Sequence, residues 1–180
     1  MADINTKLAQ LNSCPGYVHR NLLEPDLRAF LERSPSVEVI VVGISVGGGQ
    51  KQNCIQMRGK MPIQLNNRQR PIGFKFILPT EYPKHAPFVY LDEPENAEVV
   101  QLLDYIDAGN RIRNEFILNW ASKYNDANFR INLNLNRLLY EVYQLYTQAP
   151  PLPFEEMYVL FRNIIFYLFQ IRGRQLTCTY

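Results

Sequence analysis

The feature that most constrains the fold is a pair of apolar segments joined by a proline-rich turn, within residues 71–91. Successive side chains of a strand point to opposite faces, so alternating apolar residues predict a β-strand with one buried face. The first segment alternates in this way, with Ile72, Phe74, Phe76 and Leu78 on one face. After the turn that contains Tyr82-Pro83 and Pro87, residues 88–91 predict a second strand. We expect the two strands to pair or to lie side by side.

The composition indicates a single folded domain with an extension. The chain has 180 residues, of which 47% are hydrophobic and 12% aromatic, which is enough for a packed core. We expect a main domain over residues 1–154 and an apolar extension over residues 155–180. The 19 basic and 17 acidic residues are scattered and give a net charge of +2. Binding to nucleic acid or to an anionic membrane surface is therefore disfavoured.

The cysteines favour a reducing environment. Cys14, Cys54 and Cys178 are odd in number, widely spaced and without a Cys-x-x-Cys pair, so neither a disulfide framework nor a zinc site is indicated. The sequence points to no metal and no cofactor. The polar first residues lack the pattern of a secretory signal. We therefore expect a cytoplasmic protein.

The apolar spacing predicts the order of elements. Spacings of three and four predict helices over residues 4–11 and 22–31. Residues 37–46 and 54–57 predict a hairpin with three glycines at its tip, and Asn66-Asn67-Arg68 predicts the next turn. With the two strands described above, this gives a four-stranded antiparallel meander.

The second half of the chain is less regular. Residues 92–113 predict a long irregular connection around a short apolar piece at 99–103. A helical stripe over residues 134–146 then predicts one closing helix, which ends before Pro150-Pro151.

The order of these elements resembles the UEV domain, a catalytically inactive relative of ubiquitin-conjugating enzymes. The likeness covers roughly residues 5–154, and its sharpest matches are residues 59–62, Tyr82-Pro83 with Pro87, Asp107-Ala108 and Trp120. It is strongest to the Vps-type, tumour-susceptibility subunit of ESCRT-I. The resemblance implies an α+β fold, ubiquitin and proline-containing peptides as ligands, other ESCRT-I subunits as partners, and recruitment from the cytoplasm to endosomes.

The resemblance also implies that the chain is not an enzyme. Ubiquitin transfer needs an exposed thiolate, and the position of the catalytic cysteine falls near Arg113, which cannot form a thioester. The residues themselves agree, because Cys54 lies in a predicted strand and Cys14 beside Pro15-Gly16. We interpret both as buried thiols and His19 and His85 as structural or surface residues.

For ubiquitin, the resemblance points to the hairpin tip and the neighbouring sheet face. The corresponding residues are Ser45, Gly47, Gly48, Ile77 and Tyr90. Ile77 points away from Phe76 and Leu78, and Tyr90 adds an amphipathic ring, so the two residues can form a small apolar patch. The alternatives are ordinary packing of Ile77 under a helix and a flexible tip without a ligand.

For the peptide, the resemblance points to a groove that differs here from the family pattern. Its residues are Leu65, Arg70, Pro71, Ile72, Leu152 and Pro153. Leu65 and Arg70 replace family tyrosines, so we expect a shifted peptide preference or none. Arg70 favours a ligand with an acidic residue. Alternatively, these residues only cover the sheet edge.

Two questions stay open at the sequence level. Residues 157–171 are apolar but are interrupted by Arg162-Asn163. The run over residues 163–171 is far shorter than the about 20 residues needed to span a bilayer. Residues 157–171 form a helix that packs back on the domain, a helix for a partner or membrane surface, or a truncated end, and we favour the first. The alternative function is a non-catalytic partner of an active ubiquitin-conjugating enzyme in chain assembly.

Overall fold

The computed structural model describes residues 3–46, 50–65, 68–92, 107, 109 and 111–147. Four strands form one antiparallel sheet in the order β1-β2-β3-β4, which confirms the predicted meander. Their bounds are β1 Glu38–Val46, β2 Gln50–Leu65, β3 Arg68–Ile77 and β4 Phe88–Asp92. The predicted pairing of the last two strands is also confirmed, from Gly73↔Asp92 to Ile77↔Phe88.

Helices precede and follow the sheet. The described helices are α1 Ile4–Ala9, a 3-10 turn Gln10–Ser13, α2 Arg20–Arg33, α3 Glu115–Leu118, α4 Trp120–Asn125, α5 Ala127–Arg130 and α6 Leu135–Thr147. The two predicted N-terminal helices and the predicted closing helix are confirmed. The expectation of only one helix after the irregular connection is wrong, because three short helices come before α6. Residues 99–103 and 155–180 lie outside the described residues.

One sheet face and the helices enclose the core. Alternation along the strands buries Val39, Ile55, Met57, Phe74, Phe76 and Val89 on this face. Helix α6 presents Leu135, Leu138, Leu139 and Val142 at helical spacing, and α2 presents Leu23, Leu27, Phe30 and Leu31. The opposite sheet face, here called the outer face, carries the remaining alternate residues. Ile72, Phe74, Phe76 and Leu78 lie on the core side as predicted, Ile72 only partly buried.

Gly59 in β2 allows the Phe74 ring and Val37, the residue before β1, to pack closely against the backbone. A Cβ atom at this position would lie 2.6 Å from Cζ of Phe74 and 2.9 Å from Cγ2 of Val37. Since real Cβ atoms do not approach other heavy atoms so closely, only glycine lets the Phe74 ring lie across β2 here. The sequence pattern at residues 59–62 thus has a steric origin at its first residue.

Candidate functional site: two projecting hairpins and the outer sheet face

The hairpin of β1 and β2 extends beyond the rest of the sheet. Strand β1 stays paired with β2 to the end, at Val46↔Gln50, whereas β3 leaves β2 after Gln56↔Ile77. The six pairs from Val41↔Ile55 to Val46↔Gln50 therefore project past the last residue of β3 that pairs with β2. Ser45 lies in this projecting part and is exposed. Gly47 and Gly48 lie outside the described residues.

The hydroxyl of Tyr17 fills the gap where β3 leaves β2. It accepts a hydrogen bond from the backbone N–H of Ile55 at 2.7 Å and donates one to the carbonyl of Leu78 at 2.9 Å. Burial raises the pKa of Tyr17 well above its ordinary value, so the phenol keeps its proton. Asn53 further ties the hairpin base to the 3-10 turn, donating to the carbonyl of Ser13 at 3.2 Å. The projecting hairpin therefore has a fixed base.

Ile77 and Tyr90 lie close together on the outer face. Register places Ile77 opposite Phe88 and Tyr90 opposite Lys75, so the two predicted residues are diagonal neighbours about 7 Å apart. Both are partly exposed, and Ile77 is not part of the hydrophobic core. This arrangement disfavours the alternative in which Ile77 packs as an ordinary core residue.

Ser45, in contrast, lies far from this pair. Its partner Lys51 precedes Gln56, the partner of Ile77, by five positions along β2, which corresponds to about 17 Å. The structure thus divides the predicted ubiquitin contacts into a hairpin end and a central patch. Alternation also gives Ser45 the same side of the sheet as Val39 and Val41, opposite to Ile77 and Tyr90. A single ligand must therefore span this distance and reach around the hairpin to contact both.

The peptide candidates lie at the opposite end of the sheet. Five pairs, from Met61↔Ile72 to Leu65↔Arg68, extend past the last pairs of both β1 and β4. Backbone positions place Leu65 and Arg70 in this second projecting hairpin. Pro71 is exposed and Ile72 half-buried, and as neighbours in a strand they face opposite sides of the sheet. One groove can therefore use the side chain of Pro71 or of Ile72, not both. Leu152 and Pro153 lie outside the described residues.

Arg113 lies in a small polar network at the end of the irregular connection. Its Nε donates to Oδ2 of Asp107 at 2.9 Å, while Oδ1 of Asp107 accepts from the backbone N–H of Gly109 at 3.0 Å and of Arg111 at 3.1 Å. The hydrogen bond from the Arg111 backbone, followed by the other two donors, lowers the pKa of Asp107. The carboxylate therefore acts as a fixed acceptor that shapes this loop.

The described thiols are unsuited to nucleophilic chemistry. Cys14 and Cys54 are both fully buried, as the sequence predicted. Burial raises the pKa of Cys14, and burial together with the neighbouring Cys14 raises the pKa of Cys54 to about 11. The thiolate, which is the reactive form, is therefore scarce at neutral pH. Cys178 lies outside the described residues.

The two histidines lie at the surface. Nδ1 of His85 is 2.5 Å from Oε2 of Glu81, and both side chains are about half exposed. His19 is exposed and its backbone carbonyl accepts hydrogen bonds from the N–H groups of Leu22 and Leu23. Within the described ranges, no group of three His, Cys, Asp or Glu side chains is arranged to hold a metal ion.

Sequence reasoning did not find Lys75 and Arg111, which surround the predicted patch. Nζ of Lys75 lies 4.8 Å from the ring centroid of Tyr90, and Cζ of Arg111 lies 4.4 Å from that of Phe88. Alternation in β3 gives Lys75 the same face as Ile77 and was a usable signal. Arg111 follows the irregular connection, so no sequence period places it.

Comparison with known proteins places this geometry in context. The family model for the UEV domain matches residues 10–153. Among solved structures, the UEV domain of yeast Vps23 in complex with a Vps27 PSDP peptide is similar, with a TM-score of 0.64 and 17% identity, covering 83% of this chain and 94% of that chain. A complex of the Vps23 UEV with ubiquitin gives a TM-score of 0.58 and 18% identity, covering 83% and 96%.

No curated protein matches this chain significantly. Within residues 3–147, as far as they are described, no helix has the length and apolar character needed to cross a bilayer.

Proposed function

The chain belongs to the UEV domain family, whose members are catalytically inactive variants of the ubiquitin-conjugating-enzyme fold, and we propose that it is a non-catalytic, ubiquitin-binding adaptor of the ESCRT-I type. The projecting β1–β2 hairpin with its exposed Ser45 is the observation that carries this proposal. Of the two similar Vps23 structures, one is a complex with ubiquitin and the other a complex with a PSDP peptide. In this proposal the protein works in the cytoplasm and is recruited to endosomes with other ESCRT-I subunits.

Ubiquitin contacts the hairpin end and the central patch in this proposal. The contact residues are Ser45, Gly47, Gly48, Ile77 and Tyr90. A contact area with one small apolar patch and a polar hairpin end gives weak binding, which becomes effective when several modules act together. Weak affinity suits an adaptor that must also release its cargo.

Substitution at the hairpin end tests the ubiquitin contact. Replacing the exposed Ser45 with Arg places a long charged side chain in the contact and is expected to weaken ubiquitin binding at least about fivefold, a loss near 1 kcal/mol. Calorimetric titration with ubiquitin measures this effect. Ile131→Arg, at a side chain that is 83% exposed outside the sheet, is the control and is expected to leave the affinity unchanged. Equal losses in both variants would refute the hairpin contact.

The proline-containing peptide binds at the β2–β3 hairpin in this proposal. Leu65, Arg70, Pro71 or Ile72, Leu152 and Pro153 line the groove. The guanidinium of Arg70 favours a peptide with a carboxylate, since arginine pairs well with carboxylate oxygens. The PSDP peptide of the similar Vps23 complex contains an aspartate.

Peptide arrays test the role of Arg70. The wild-type protein is expected to prefer Pro-Ser-Asp-Pro over Pro-Ser-Asn-Pro, and Arg70→Tyr is expected to reduce that preference, because the charge that selects Asp is removed. Arg68→Tyr, two residues earlier in β3, serves as the matched control. Unchanged selectivity in Arg70→Tyr would contradict the assignment.

The non-catalytic character follows from the position near Arg113 and from the buried thiols. Incubation with ubiquitin-activating enzyme, ATP and ubiquitin is expected to give no adduct that a reducing agent removes, because Cys14 and Cys54 hold their protons and are inaccessible. A reducible adduct lost in Cys14→Ser, Cys54→Ser or Cys178→Ser would revive a transferase function.

A further inference from the structure

The β4 side of the outer face carries two cations that each lie on an aromatic ring. Lys75 lies over Tyr90 and Arg111 over Phe88, with cation-to-centroid distances of 4.8 Å and 4.4 Å. Phe88 and Tyr90 are two positions apart in β4, so their side chains share the outer face and their Cα atoms lie about 7 Å apart. The four side chains form one surface, here called the β4 patch.

Ring contacts hold both cations without neutralising them. Within the described part of the chain, the side chains of Lys75 and Arg111 form no ion pair and no hydrogen bond. Nε of Arg111 is buried and lacks a hydrogen-bond partner there. An arginine stacked on a ring loses little further freedom when its remaining N–H groups bind a carboxylate.

The backbone of Arg111 is fixed as well. Its N–H donates to Oδ1 of Asp107 at 3.1 Å, and its carbonyl accepts from the N–H of Asp107 at 3.0 Å. Arg111 also forms an isolated bridge with Tyr90, on the side of β4 away from β3. The loop network around Asp107 therefore positions the guanidinium over Phe88.

An apolar row lies beside the cations. Register across the sheet places Ile40, Gln56, Ile77 and Phe88 in one line on the outer face. Ile40 and Ile77 are partly exposed, and Gln56 is only 5% exposed between them. A ligand that contacts both rows must therefore present negative charge and apolar side chains together.

We propose that the β4 patch binds an acidic peptide segment of a partner protein, in which carboxylate side chains lie next to apolar ones. The carboxylates pair with Lys75 and Arg111, and the apolar side chains pack on Ile77 and Ile40. This proposal does not depend on the hairpin end, but it shares Tyr90 and Ile77 with the proposed ubiquitin contact, so ubiquitin and the acidic peptide are expected to compete for these two side chains.

Arg58 and Lys60 share this face with Lys75, as does Glu38, so the number of charges alone does not separate a peptide from an anionic membrane. The peptide is favoured because the apolar side chains of Ile40 and Ile77 lie beside the cations, and the vesicle measurement below tests the membrane.

Fluorescence anisotropy with two labelled peptides tests the proposal. The first peptide alternates Glu with Leu, and the second replaces every Glu with Gln. The full chain is expected to bind the Glu peptide and to bind the Gln peptide at least about tenfold more weakly, because charged hydrogen bonds are lost. Lys75→Ala and Arg111→Ala are each expected to weaken binding of the Glu peptide about fivefold.

Matched controls separate the patch from general charge. Lys123 lies over the ring of Phe116 at 4.6 Å and Arg130 over that of Tyr124 at 5.8 Å, both outside the sheet. Lys123→Ala and Arg130→Ala therefore remove the same charges and the same kinds of stacking and are expected to leave peptide binding unchanged. The indole N–H resonance of Trp120, which donates to the carbonyl of Pro83 at 2.7 Å, checks that every variant is folded.

Three results would overturn the proposal. The first is equal weakening in the matched controls, which would show a dependence on net charge alone. The second is equal binding of the Glu and Gln peptides. The third is binding of vesicles that contain phosphatidylserine, dependent on Lys75 and Arg111, without binding of either peptide.

Discussion

At the residue scale, Asp26 joins three parts of the chain. From helix α2, its carboxylate accepts a hydrogen bond from the hydroxyl of Tyr82, and its oxygens lie 3.2 and 3.3 Å from the backbone nitrogen of Leu135, at the start of α6. Burial raises the pKa of Asp26 to about 6, and the hydrogen bonds from Tyr82 and Leu135 oppose this shift. Desolvation is therefore the larger effect.

This pKa fixes the direction of a pH effect on stability. A carboxyl group with a folded-state pKa above its ordinary value of 3.8 binds its proton more tightly in the folded protein than in the unfolded chain. Its contribution to the free energy of unfolding is therefore most favourable below about pH 4 and is lost as pH rises through about 6. The difference is on the order of 3 kcal/mol.

Asp26→Asn is expected to remove this contribution, because the amide does not titrate. Urea unfolding at a series of pH values measures the free energy of unfolding for both proteins. Relative to the variant, the wild type should lose stability between about pH 4 and 6. Parallel curves for the two proteins over this range would contradict the assignment.

Gly59 gives a second prediction at this scale. Gly59→Ala is expected to destabilise the protein by about 1–3 kcal/mol, because the added methyl group overlaps the Phe74 ring and Val37. The matched control is Gly43→Ala in β1, where a Cβ atom meets nothing within 4 Å. Chemical denaturation measures both variants, and similar stability of Gly59→Ala and Gly43→Ala would refute the steric account.

At the element scale, the separation of β3 from β2 depends on one hydroxyl. Tyr17→Phe leaves the buried N–H of Ile55 and carbonyl of Leu78 without their partner. We expect a loss of about 1–3 kcal/mol in the free energy of unfolding and faster hydrogen exchange at the Ile55 amide.

Tyr124→Phe is the control for this prediction, since its partly exposed ring lies under Arg130 and not between strands. Its effect is expected within about 0.5 kcal/mol. Unchanged exchange at Ile55 in Tyr17→Phe would show that the hydroxyl does not hold the hairpin base.

The same scale shows what sequence can and cannot predict. The period of two in β3 and the helical stripe of α6 are long enough to be unambiguous, because each buries one continuous face. Strand β2 extends beyond the predicted residues 54–57 at both ends. Its first residues, Gln50–Asn53, are polar and pair only with β1, and after Met57 the sequence Arg58-Gly59-Lys60 interrupts the apolar pattern. Helices α3 to α5 have four to six residues each, too few to show a period. Their one local signal was Asn114, whose side chain caps α3 by accepting from the N–H of Ile117 at 3.0 Å.

The candidate site could be predicted where the residues that the family resemblance implies lie in a strand that the sequence also predicts. Alternation correctly gave Ile77 the face opposite Phe76, and the glycine run marked the hairpin. The distance of about 17 Å between Ser45 and Ile77 depends on the strand register, which patterns in a single sequence do not determine. The position of Arg111 over Phe88 depends on the loop network around Asp107, which no sequence pattern predicts.

At the scale of the whole molecule, the sheet separates possible contacts. Two hairpins project at opposite ends, the helices cover one face, and the outer face lies between the hairpins with its own charged patch. Because the sheet is one packed unit, ligands at the two ends are expected to bind independently. Calorimetric titration of ubiquitin with and without saturating proline-containing peptide should give the same affinity, and a change of more than about threefold would indicate coupling between the ends.

The most direct test of the central claim is a titration of the isotope-labelled protein with unlabelled ubiquitin, followed by amide chemical shifts. The account predicts graded shifts in the hairpin around Ser45 and at Ile77 and Tyr90, while residues in the enclosed core, such as Leu27, stay unchanged. Absence of shifts at millimolar ubiquitin, or shifts confined to α1 that appear only with a ubiquitin-conjugating enzyme, would contradict the adaptor function and favour a role in chain assembly.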